Sequence, residues 1–163
     1  MAIFKKHMLL TPIYLFLTLS GIYGCEGKTS QCKRLIKIID QGNNSIEKNK
    51  GYQVTTSYQL AKNLEQITQI LIKSKFGDTR LAEFNGKFVT IFRSWNQQIG
   101  KASKALATTK AAKPSKKGRI TIKKAREEIN SNLTSAYYTA KNFDALLKKL
   151  NDYCNQTEGT ERF

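Results

Sequence analysis

Apolar residues return every three or four positions in four separate runs after residue 30, and no alternating stretch of strand length interrupts them. In the first run Cys32, Leu35, Ile36, Ile39 and Ile46 share a face, with Gly42-Asn43-Asn44 as either a break or a point of close packing. Gly51 marks a turn. The second run, Val54, Tyr58, Ala61, Leu64, Ile67 and Leu71, forms a core-facing stripe. It ends at Phe76-Gly77-Asp78, where glycine suits the position past a helix terminus and Asp78 suits the cap of the next helix. The third run, Leu81, Phe84, Phe88, Ile91, Phe92, Trp95, Ile99 and Ala102, supplies the aromatic wall of the core. From Thr108 to Arg119 the periodicity disappears into Lys, Ala, Pro114, Ser115 and Gly118, which predicts a flexible connection. The fourth run is the most sustained, over about nine turns: Ile122, Ala125, Ile129, Leu133, Ala136, Ala140, Phe143, Leu147, Leu150 and Cys154.

Four amphipathic helices can bury their stripes only against one another. The expected fold is therefore all-α, an antiparallel up-down-up-down four-helix bundle over 31–155, with a basic loop at 108–119 and a polar tail at 156–163. In that order the start of the first helix and the end of the last lie together. Cys32 and Cys154 occupy those two positions.

The segment before the bundle has a different grammar. Lys5, Lys6 and His7 precede an apolar run from Met8 to Tyr23, which is broken by Pro12, and no acidic residue occurs before Glu26. Sixteen residues fall short of the roughly 20 that a membrane-spanning helix needs. An export signal over 1–24 and a short tether over 25–30 are expected. The run closes on Ile22-Tyr23-Gly24-Cys25, which resembles the lipobox of bacterial lipoproteins. That resemblance covers only the first 25 residues. It implies acylation of Cys25 and anchorage of the chain at the periplasmic or extracellular face of a membrane. Simple cleavage near Gly24, or a retained signal anchor, are the other readings.

Cysteine parity bears on this choice. The chain has three cysteines, and an odd thiol in an oxidising compartment needs a role. With Cys25 acylated, Cys32 and Cys154 remain as a disulfide pair. Pairing of Cys25 with Cys32 is the other arrangement, and it leaves Cys154 free.

The residue inventory argues against catalysis. The single histidine, His7, lies inside the signal, so the remaining domain lacks the imidazole of Ser-His-Asp and Cys-His sites, of zinc sites and of helical di-iron centres. Glu127-Glu128 is the only adjacent carboxylate pair. Its members point about 100° apart on a helix and suit pairing with Lys123, Lys124 or Lys141. No glycine-rich phosphate loop occurs. No cofactor and no metal are expected. Tyr137 and Tyr138 are adjacent, so one can be core and the other exposed, and they do not imply a ligand pocket.

Charge adds the remaining signal. Lys and Arg number 28 against 12 Asp and Glu, a net +16. Ten of the cations lie between Lys101 and Arg126, where no acidic residue occurs. Lys110, Lys113, Lys116, Lys117, Arg119, Lys123 and Lys124 are the candidate anion-binding residues. A solvated basic loop is the plainer reading of the same residues. Nucleic acid is disfavoured as partner, because no aromatic platform lies within this segment. The expected function is a membrane-tethered, extracytoplasmic, non-catalytic binding or structural module whose partner is an anionic polymer or an acidic protein surface. The alternative is a soluble secreted helical protein that binds an anionic ligand through the basic loop.

Overall fold

Four helices make up nearly all of residues 26–49 and 53–156, which the computed structural model describes. They are α1 (Lys28–Lys48), α2 (Val54–Lys73), α3 (Thr79–Ala111) and α4 (Lys116–Asn155). No strand occurs among the described residues. The expected export signal, Cys25, the Gly51 turn and the tail from Thr157 onward lie outside them. The last two helices have 33 and 40 residues, so at 1.5 Å per residue they run about 50 and 60 Å. α3 makes the most extensive contacts, with α4 on one side and α2 on another, and α1 packs chiefly on α2.

An aromatic seam down α3 is the centre of the core. Phe88 and Phe92 are fully buried, and Phe143 of α4 sits edge-on to both, at ring-centroid distances of 5.8 and 5.9 Å. Trp95 lies 5.1 Å from Phe143, and its indole N–H donates to the Ala136 carbonyl at 3.1 Å. Burying the indole therefore leaves no orphan donor. Rising numbers on α3 meet falling numbers on α4: Phe84 with Tyr153, Phe88 with Phe143, Trp95 with Ala136. Leu35 and Ile39 of α1 and Leu64 and Leu71 of α2 close the core from the other side.

Two small residues set the spacing of the helices. α1 runs unbroken through Gly42, so the Gly42-Asn43-Asn44 segment is the point of close packing and not a break. A Cβ on Gly42 would lie 2.3 Å from Phe92 Cε1. Between α2 and α3, Gly100 faces the Ala61 methyl, and the buried Ser103 hydroxyl donates to the Val54 carbonyl at 3.2 Å. Both features bring backbones together where a larger side chain would hold them apart.

Cys32 and Cys154 form a disulfide, with Cα atoms 5.8 Å apart and 122 positions apart in sequence. In the chain-entropy view, closing a loop of this length contributes about 5 kcal/mol. The same end carries a polar network joining three helices. Asp78 caps α3 by accepting from the Leu81 N–H at 2.8 Å and accepts the Tyr153 hydroxyl proton at 2.7 Å. The Asp78 N–H donates to Gln31 Oε1, and Gln31 Nε2 donates to the Glu26 carbonyl. Partial burial opposes the charge on Asp78, yet the Tyr153, Leu81 and Arg80 hydrogen bonds outweigh it and hold the carboxyl below its ordinary range. Arg34 binds the Glu26 carboxylate at 2.6 Å and lowers its pKa. α1 thus begins at Lys28, inside the segment read as a tether.

Several stripe positions prove to be surface. Tyr58 is 63% exposed and Leu133 44%, and Tyr137 and Tyr138 are both exposed, so neither tyrosine is core. Ile38, Thr68 and Leu146 are buried without having been part of the stripes read above. Thr68 satisfies its hydroxyl by donating to the Leu64 carbonyl one turn back, at 2.8 Å.

Candidate functional site

The basic segment folds differently from the flexible loop expected over 108–119. Helix α3 continues through Thr108 and Thr109 to Ala111, and α4 begins at Lys116, so only residues 112–115 connect them. Local chemistry explains the shortness. Ala, Lys and Thr fill this stretch, and alanine and lysine are good helix formers that need no apolar stripe where a helix faces water. Pro114 stops α3, because the residue before a proline is driven to extended backbone. The Ser115 hydroxyl then caps α4 by accepting from the Gly118 N–H at 3.0 Å. Gly118 is required here, since a Cβ at that position would lie 1.9 Å from the Lys113 carbonyl oxygen.

This hairpin distributes the candidate cations over two helix ends and the short connection between them. Lys110 is in the last turn of α3. Lys113 is in the connection, Lys116, Lys117 and Arg119 are in the opening turn of α4, and Lys123 and Lys124 follow one turn later. All seven are exposed, as are Lys101, Lys104 and Arg126. None of these ten residues forms an ion pair: the ion pairs among the described residues are Arg34–Glu26, Lys87–Glu83 and Lys148–Asp152. The expected pairing of Glu127 or Glu128 with Lys123, Lys124 or Lys141 does not form either. Lys141 instead lies over the Tyr137 ring, at 4.9 Å from its centroid.

The first turn of α4 contains no acidic residue. Free N–H groups and the helix dipole already make a helix start positive, so acids stabilise that position and cations oppose it. Lys116, Lys117 and Arg119 therefore add to the local positive potential. Folding gains nothing from this placement, whereas an anion would be attracted by all of it. Beside it, Arg119, Ile122, Lys123, Arg126, Glu127 and Asn130 line a shallow cavity of about 360 Å³.

A second depression, of about 690 Å³, lies between α3 and α4 towards the disulfide end. Phe84, Ile91 and Leu146 form its apolar part, with Arg80, Lys87 and Lys149 among its charged residues. Its charge is largely compensated. The Lys87 ammonium hydrogen-bonds Glu83 at 2.5 Å and lowers that carboxyl's pKa, and Asp152 is paired with Lys148. No signal in the sequence singled out this groove, because its residues come from two helices at unrelated spacings.

Both described cysteines are joined to each other and present no thiol. Among the described residues, no group of three or more His, Cys, Asp or Glu side chains could hold a metal ion. None of the described helices is long and apolar enough to cross a membrane. No protein-family model, curated protein or solved structure matches this chain.

Proposed function

We propose that this protein is a non-catalytic binding or structural module, tethered to the outer side of a membrane through acylated Cys25, that meets an anionic partner with its basic α3–α4 hairpin. In this reading the four helices follow one another up, down, up and down. The disulfide end then stands next to the tether, and the basic hairpin is the far tip. The pairing of Cys32 with Cys154 supports the cysteine assignment, because it leaves Cys25 as the odd thiol that the lipobox resemblance explains.

One observation carries the binding part of the proposal. Ten exposed, unpaired cations converge on one helical hairpin, and three of them stand at a helix start where they oppose helix stability. The partner fits an anionic polymer, a phosphate-bearing surface or an acidic protein patch.

Retention of the purified chain on an anionic matrix tests it. At low salt the protein should be held and should elute as ionic strength shortens the screening length. The variant carrying Lys113→Ser, Lys116→Ser, Lys117→Ser and Arg119→Ser should elute earlier with unchanged helicity. Equal retention would leave these residues as a solvated surface. The tether is tested separately by the mass of Cys25 in the native envelope, where an unmodified thiol would remove it.

A further inference from the structure

The outward face of α4 combines the cations with apolar side chains in a way that bears on which anionic partner fits. Arg119, Lys123, Arg126, Asn130, Leu133 and Tyr137 follow one another at spacings of four, three, four, three and four residues. They therefore form one ridge along the helix, about 27 Å long. All six residues of this ridge are exposed, Leu133 at 44% and Tyr137 at 58%. Ile120, 52% exposed, and Tyr138, 61% exposed, are five turns apart on a second line about 100° round the helix from the ridge. Four of the seven large exposed apolar side chains among the described residues thus fall between positions 120 and 138 of a single helix. Apart from α3 and α1, α4 touches no other described helix, so no further described helix covers this face.

Resting on the basic-hairpin reading above but not on the lipid tether, we infer that the outward face of α4 docks on an anionic lipid bilayer, cations at the headgroups and apolar side chains in the interface. A soluble polyanion would use the arginines and lysines but would gain nothing from Ile120 and Leu133. An anionic bilayer uses both kinds of group. Basic residues near a charged leaflet are attracted to its headgroups. Aliphatic side chains sink to the acyl boundary, and tyrosine rings favour the headgroup level, one end apolar and one wet. The Tyr137–Tyr138 ring contact, at 5.8 Å, and the Lys141 ammonium over Tyr137 place two amphipathic rings and a cation at the end of the ridge. The surface belongs to one continuous helix, so the contact needs no folding on binding.

The full-length chain bearing Tyr138→Trp tests this. Its only native indole, Trp95, is 7% exposed and serves as a constant background, while the new indole reports on the face itself. With phosphatidylglycerol vesicles the new indole should shift to the blue and be quenched by brominated acyl chains, whereas with phosphatidylcholine vesicles it should not. Adding Arg119→Ser, Lys123→Ser and Arg126→Ser should weaken the phosphatidylglycerol response roughly a hundredfold, at about fivefold per cation. Ile120→Ser with Leu133→Ser should remove the quenching while leaving charge-dependent adsorption. Charge-dependent adsorption without any blue shift, matched by equal binding to soluble polyphosphate, would overturn the bilayer inference and leave the anionic-partner reading standing. Indifference to both lipid charge and the three serine substitutions would overturn both.

Discussion

The Tyr153 hydroxyl crosses from the last helix to donate to Asp78 Oδ2 at 2.7 Å, while Asp78 Oδ1 accepts the Leu81 N–H that opens α3. One carboxylate thus caps one helix and anchors another, beside the disulfide. Both hydrogen bonds favour the ionised form, so the folded-state pKa lies below the ordinary value of 3.8. A depressed carboxyl pKa contributes stability that is present above the unfolded value and is lost as pH falls through the folded one. Thermal unfolding from pH 7 towards pH 2 should therefore show a fall that steepens below about pH 4. Asp78→Asn keeps a capping oxygen and should flatten that acid limb. An unchanged acid limb would mean that the network does not couple to folding.

Glycine substitutions should have opposite signs at two helical positions. Gly42 faces the Phe92 ring, and an added methyl would lie 2.3 Å from it, with Phe92 fully buried and unable to yield. Gly42→Ala gains about 1 kcal/mol of helix propensity but overpacks the core by about 1–3 kcal/mol, so a net loss is expected. Gly86 has nothing within 4 Å of its would-be Cβ. Gly86→Ala should raise stability by about 0.5–1 kcal/mol. Urea melts of the two variants check the pair, and equal effects would contradict the packing at Gly42.

The aromatic seam should dominate stability. Phe88→Ala and Phe143→Ala each remove a ring from the cluster around Trp95, at a cost of about 3–5 kcal/mol. Trp95 emission should shift to the red in Phe143→Ala, whose ring lies 5.1 Å from the indole. A melt that does not move would refute the core.

Reduction of the disulfide should loosen the end where α1 joins α4. Cys32→Ser with Cys154→Ser should lower stability by roughly 2–5 kcal/mol, and hydrogen exchange should rise first in α1, which otherwise packs mainly on α2. Uniform exchange across all four helices would contradict this.

Much of the architecture is legible in the sequence because the four helices state their own periods. The Asp78 cap and the Cys32–Cys154 pair follow from turn chemistry and from which helix ends meet. What was not legible has two physical causes. A stripe reading presumes neighbours on every side, whereas α4 has only α3 and α1, so Leu133 and Tyr137 keep the helical period without being buried. The segment 108–119 reads as a loop because its apolar periodicity disappears. A helix built of alanine and lysine needs none when it faces water, and residues 112–115 suffice to reverse the chain. The candidate cations are legible in the sequence as positions, whereas their exposure and their lack of ion-pair partners require the fold.

The central claim is that anions are met by the hairpin and not by net charge alone. Two variants of equal charge separate these most directly. One carries Lys113→Ser, Lys116→Ser, Lys117→Ser and Arg119→Ser at the hairpin. The other carries Lys33→Ser, Lys37→Ser, Lys62→Ser and Lys73→Ser, all exposed positions of α1 and α2. Affinity for phosphatidylglycerol vesicles, measured on the two full-length chains at the same ionic strength, should fall at least tenfold further in the hairpin variant. Equal losses would contradict a localised site and reduce the basic hairpin to a share of the overall charge.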